Sequence, residues 1–218
     1  MCSSEKCDIM PENPQLWTPE TPYLYNFSVE CGRDKVESYF AIRTLSIERI
    51  NGVKRICLNG KPYLFNGMLD QGYYPEGIYT PVTEDGFIED IKLAKSLGFN
   101  TLRKHIKVEP MIFYYLCDKM GIAVFQDMVN NGKYNFLRDT VLPTVATYKG
   151  QKLNDEHFSP DEGIRKTFEN SMYDTADLLM NSPSVVYYTI FNEGWGQFNA
   201  DKMYGQLCDF DHSRIIDS

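Results

Sequence analysis

Over the first 45 or so residues the chain is rich in aromatic and β-branched residues that partly alternate with polar ones, the pattern of half-buried strands. PYLYNFSVE (22–30) and VESYFAIRTLSIE (36–48) are two such runs, separated by the turn-forming CGRDK. Two or three strands cannot hold a sandwich together, so they read as the tail of a β-domain. ICLNGKPYLFNG (56–67) then predicts a hairpin turning at Asn59-Gly60-Lys61.

From about residue 64 the period changes to strand–helix alternation. YLFNG (63–67) predicts a first short strand. TEDGFIEDIKLAKSLG (83–98) spaces Phe87, Ile91, Ala94 and Leu97 as a helix does, with Thr83 as N-cap and Gly98 as stop. FNTLRKHI is a second strand, PMIFYYLCDKMG a helix between Pro110 and Gly121, and IAVFQD a third strand. The polar stretch 130–158 is long for a loop and reads as functional or partly structured. In SPDEGIRKTFENSMYDTADLLMNS (159–182), Ser159 and Glu162 form a capping box and Ile164, Phe168, Met172, Thr175 and Leu179 share a face. SVVYYTIF (184–191) is a fourth strand, NADKMYGQLCDF a helix, and RIID the start of a fifth strand.

Repeated strand–helix units with fully apolar strands predict a parallel sheet covered by helices. An open doubly wound sheet and a (β/α)8 barrel both fit that alternation. No GxGxxG or GxxxxGK[ST] follows any strand, which removes the main sign of a nucleotide-binding open sheet. The strands instead end on varied polar residues: Asp70 and Gln71, Arg103 and His105, Gln126 and Asp127, Asn192 and Glu193. In a barrel those ends converge on one mouth, and the barrel is the expected fold with about four and a half of its strands in this chain.

Composition narrows the function classes. A formal net charge of −8 argues against a nucleic-acid backbone as partner. No apolar run reaches the roughly 20 residues of a membrane span, and MCSSEKCDIM lacks the apolar stretch of a secretion signal. The reading is a soluble protein of undetermined compartment, without membrane partner. Six cysteines and three histidines form no CxxC pair or zinc knuckle, so neither a metal nor another cofactor is expected. A Cys2–Cys7 bridge fits the spacing, reduced thiols fit better, and Cys117 reads as a packed apolar residue.

FAIRTLSI, LNGKPYLFNG, GFNTLRKHIKVEP, CDKMGIAVFQDM and NSPSVVYYTIFNEGWGQF occur in an order that resembles glycoside hydrolase family 2. That family holds β-galactosidases, β-glucuronidases and β-mannosidases. The resemblance implies the last strands of an immunoglobulin-like β-sandwich over residues 1–47 and the N-terminal half of a (β/α)8 barrel over 48–218. It implies retaining hydrolysis of terminal β-linked sugars such as β-galactosides, with Glu193 as general acid/base and Asn192 on the sugar 2-hydroxyl. RKHIK departs from the family's commoner Arg followed by Ser/Thr-His-Tyr, and Asp127 stands where many members carry Glu.

The residue types suit that chemistry. Retention requires two carboxyls about 5–5.5 Å apart, one protonated and one ionised. A rigid strand end in a water-poor pocket raises the acid's pKa. Arg103 can orient carboxylates by bidentate bonds or satisfy one buried acid. His105 is a sugar contact or a structural histidine, and Trp195 a stacking platform or a buried anchor. Asp70 and Asp127 are expected to face the mouth. The resemblance puts the nucleophile after strand seven, beyond this chain, so the 218 residues alone are expected to be inactive. The rival expectation is a non-catalytic carbohydrate-binding or scaffold half-barrel. It would pair with itself as a homodimer, or with the missing half, through exposed strand edges.

Overall fold

A computed structural model describes residues 11–130, 132, 134–150, 155, 162–192 and 196–218. β1 (Tyr25–Cys31) and β2 (Asp34–Phe40) form an antiparallel hairpin, the tail of the sandwich. Tyr25 and Phe40 face each other in register and stack at 5.0 Å. β3 (Leu45–Ile50), β4 (Val53–Leu58) and β5 (Lys61–Pro62) form a second antiparallel sheet. Its turn at Asn59-Gly60 has positive φ at both residues (54° and 72°), the geometry a two-residue hairpin requires.

YLFNG is not the first parallel strand; β6 is Gly67–Asp70. The reason is local. Asn100 takes the backbone groups a ladder would use, accepting from Asn66 N at 2.8 Å and donating to Leu64 O at 2.9 Å. Nor is Thr83 the N-cap of α1 (Asp85–Ser96). Glu84, with helical φ and ψ, holds that place, and Thr83 O already accepts Gly86 N.

After α1 come β7 (Thr101–Lys104), α2 (Met111–Met120) and β8 (Ala123–Asp127). The long polar stretch contains a π-helical turn (Leu137–Val141) running into α3 (Leu142–Tyr148). α4 (Glu162–Leu179), β9 (Val185–Thr189), α5 (Ala200–Phe210) and β10 (Ile215–Asp217) complete the order. The capping-box residue Ser159 lies outside the described residues. No described helix is long and apolar enough to cross a membrane.

The five parallel strands lie in chain order, β6-β7-β8-β9-β10, with no reversal. A doubly wound sheet reverses at a switch point; a barrel does not. The sheet is thus half of a (β/α)8 barrel. Its outer face is dry, with Leu102, Lys104, Val124, Gln126 and Tyr188 all 3% exposed or less. Its inner face is open. Leu69, Arg103, Phe125 and Tyr187 share one register row, Leu69 is half exposed, and Phe125 stacks on Tyr187 at 4.6 Å.

The sandwich tail is fastened at the opposite end from the mouth. Trp17, fully buried, donates to Asp118 O at 2.9 Å, and Tyr39 donates to Asp118 Oδ2 at 2.7 Å. Arg43 donates to the carbonyls of Pro183, Ser213 and Val185 at 2.7–2.8 Å.

Candidate active site

Alternation along β7 sends neighbouring residues to opposite faces of the sheet. Arg103 and His105 turn inward to the mouth. Arg103 donates from Nε to Asp127 Oδ1 at 3.0 Å and from one terminal nitrogen to Asn192 Oδ1 at 2.8 Å. His105 Nδ1 lies 3.2 Å from Asp127 Oδ2. Three strand ends therefore meet in one hydrogen-bonded group: β7, β8 and the residues just after β9. Asp127 is fully buried, Asn192 nearly so, and the Arg103 side chain is 40% exposed.

The arrangement fixes the Asn192 amide. Its carbonyl is held toward the Arg103 guanidinium, so its NH2 end is presented elsewhere as a donor. Asp127 is bonded by two donors from different positions of the same strand end, which locks the carboxylate plane. Glu193 and Trp195 lie outside the described residues, although Glu193 directly follows Asn192.

Asp70 does not join this group. The register pairs it with Lys104 on the helix-facing side, where Lys104 Nζ lies 2.8 Å from Asp70 Oδ2 and 2.7 Å from Glu109 Oε1. The expectation that Asp70 faces the mouth is therefore corrected: with Leu69 on the inner row, the next residue has to point outward. Lys107 completes this second cluster, 2.9 Å from Glu109 Oε1. Behind it Tyr114 donates to Gln126 Oε1 at 2.6 Å, and Gln126 donates to Lys107 O at 2.9 Å and to Asp127 O at 2.7 Å.

Lys104, Lys107 and Glu109 were missed as site candidates. The available signal was a lysine at the alternate position of RKHIK, where an outward strand residue ought to be apolar. Among the described residues, no three His, Cys, Asp or Glu side chains stand close enough to hold a metal ion.

Known proteins carry the same architecture. Residues 49–218 match the family model of the TIM barrel domain of glycosyl hydrolases family 2, and residues 3–43 match a further model of glycosyl hydrolases family 2. A β-galactosidase of Pseudoalteromonas haloplanktis is 30% identical over 208 residues, 94% of this chain and 18% of that protein. One from Lactococcus lactis subsp. lactis is 29% identical over 222 residues, 99% of this chain and 20% of that protein. The chain thus spans about a fifth of the length of these relatives. A β-glucuronidase of an uncultured Clostridium sp. superposes with a TM-score of 0.72 at 21% identity, over 93% of this chain and 33% of that one. The family 2 β-galacturonidase of Eisenbergiella tayi, bound to galacturonate, gives 0.70 at 19% identity over the same shares. With a family model covering most of its length, and with a half barrel whose strand ends converge on one polar group, the chain belongs to glycoside hydrolase family 2.

Proposed function

We propose that this chain supplies the acid/base half of a retaining β-glycoside hydrolase site, with Glu193 as proton donor and Asn192 as a sugar-hydroxyl partner. The observation that carries the reading is the bond from Arg103 to Asn192 Oδ1, made by a guanidinium that also grips Asp127. It orients an amide donor immediately before Glu193, at the end of a rigid strand. Relatives that are β-galactosidases favour a β-galactoside as substrate.

In this reading Glu193 is protonated in the ground state and donates to the glycosidic oxygen as the bond to the sugar carbon breaks. A second carboxylate attacks that carbon, and Glu193 then takes a proton from the water that releases the sugar. Arg103 and Asp127 hold the mouth's geometry, and His105 is a further sugar contact. Trp195 provides a stacking face in the same reading. The partner is a carbohydrate, and the open inner row of Leu69, Phe125 and Tyr187 is where further barrel strands would pack.

The attacking carboxylate falls outside these 218 residues. The isolated chain should therefore bind a β-galactoside without hydrolysing it. Incubation with p-nitrophenyl β-D-galactopyranoside should release nitrophenol at the blank rate. A rate above blank that disappears in Glu193→Gln would overturn the assignment of a missing nucleophile.

A further inference from the structure

Alternation along β7 breaks down two residues beyond its end. Continued alternation after Lys104 would send Ile106 outward and Lys107 inward. Lys107 instead joins Lys104 on the outer side, where Lys104 Nζ lies 2.7 Å and Lys107 Nζ 2.9 Å from Glu109 Oε1. The chain reverses at Ile106, whose φ is 45°. A β-branched residue is a genuine outlier in that left-handed region. Such strain persists only where the surroundings over-determine it.

The surroundings fix the chain on both sides of this turn. Before it, His105 N donates to Asp70 O at 2.9 Å, which carries the β6–β7 pairing up to the inward-facing imidazole. Beyond it, the Lys107 ammonium donates to Gly72 O and Tyr79 O, and the Lys107 carbonyl accepts from Gln126 Nε2 at 2.9 Å. Gln126 is fully buried on β8. Its amide also donates to Asp127 O at 2.7 Å, and Tyr114 donates to Gln126 Oε1 at 2.6 Å, which keeps the amide from flipping. One side chain thus ties together the two segments that carry His105 and Asp127.

We propose that Gln126 is a positioning residue for the mouth: by holding the strained turn at Ile106, it fixes His105 with its Nδ1–H on Asp127. Arg103 occupies Asp127 Oδ1, and Oδ2 is left to accept from Nδ1 at 3.2 Å. The neutral ring then carries its proton on Nδ1, and the Nε2 lone pair is free to accept from a ligand hydroxyl. Only that last step, in which the hydroxyl is a sugar's, rests on the glycosidase reading. The fixed tautomer stands without a ligand.

The test reads the imidazole itself. Long-range proton–nitrogen correlation spectra of the 218-residue chain are recorded at about pH 8.5, where an imidazole is ordinarily neutral. His105 is identified by the loss of its signals in His105→Asn. The wild type should show a protonated Nδ1 and a bare Nε2. Gln126→Leu removes both donors, so His105 should populate both tautomers, and affinity for methyl β-D-galactopyranoside should fall on the order of fivefold. Adding Ile106→Gly should restore the single tautomer and most of the affinity, because glycine takes a positive φ without needing the clamp. Loss of packing alone predicts no such rescue. Should Gln126→Leu fail to fold, Tyr114→Phe, which frees the amide to flip, replaces it with and without Ile106→Gly. A wild-type ring protonated on Nε2 overturns the positioning role. So does a tautomer unchanged in the variant, or a mixture that Ile106→Gly does not resolve. The expected tautomers with no galactoside binding leave the positioning role standing and overturn the sugar contact.

Discussion

The two ends of the parallel sheet use the same side-chain types to opposite purposes. At the base, Arg214 is buried and donates to the carbonyls of Val185, Leu179, Met180 and Ser182 as well as to Asp211 and Ser213. Arg43 next to it bonds three carbonyls, and burial together with the Arg214 charge brings its pKa down to about 10. At the mouth, Arg103 touches only two side-chain partners among those described and remains 40% exposed. The carboxylates divide in the same way. Asp118 at the base faces the neutral donors Tyr39 and Ser184, whereas Asp127 at the mouth faces Arg103 and His105. A base whose donors are filled from within the fold serves stability. A mouth with a locked but accessible guanidinium has capacity left for a ligand.

The contrast should appear most strongly in Arg214→Met. The substitution leaves the Asp211 carboxylate buried with only Ser213 N and Oγ as partners, and it removes one donor from each of four carbonyls, of which Val185 O keeps Arg43. Burial opposes the charge on Asp211, but Arg214 and Ser213 hold its pKa below the usual range, so the pair is coupled. A loss of roughly 3–5 kcal/mol in urea unfolding is expected, the cost of breaking a buried ion pair by removing one partner. A loss under about 1 kcal/mol, the size of an exposed pair, would erase the distinction drawn for the base.

Asp118 tests the base from the acid side. Burial raises its pKa from 3.8 to about 6, opposed by the donors Ser184 and Tyr39 and by the Arg214 charge; Cys117 lies alongside. The folded state therefore holds this proton more tightly than the unfolded chain does. Its stabilising contribution is complete below about pH 4 and is lost as pH rises through about 6. Between pH 4 and 7 the wild type should lose roughly 2 kcal/mol relative to Asp118→Asn. Parallel stability curves for the two proteins over that range would show that Asp118 is ionised throughout.

How much of this could be read beforehand follows the same division. The strand–helix order, the Asn59-Gly60 turn and the convergence of Arg103, His105, Asp127 and Asn192 are local or periodic features, and periodicity is what a sequence displays. Asp70 was misdirected because the first strand was drawn from apolar YLFNG, when Asn100, more than 30 residues away, decides where pairing starts. The base was invisible for the same reason. Trp17, Arg43 and Arg214 find partners scattered along the chain, and no spacing announces such contacts. The helix α3 within the polar stretch had no clear apolar face to reveal it.

The smaller arginine effect on folding is also the sharpest test of the mouth. In Arg103→Met the buried Asp127 keeps its contact with His105, and the lost guanidinium was already part-hydrated. Removing it should cost roughly 1.5–3 kcal/mol, the range of hydrogen bonds to a charged group, below the cost of Arg214→Met. Its consequence for binding should be the reverse. Without the bond to Asn192 Oδ1 the amide is free to turn, and the donor before Glu193 loses its direction. Affinity for methyl β-D-galactopyranoside should fall on the order of tenfold, a change that Arg43→Met should not produce. If Arg103→Met proves as destabilising as Arg214→Met while affinity holds, Arg103 is structural, and the mouth differs from the base only in its exposure.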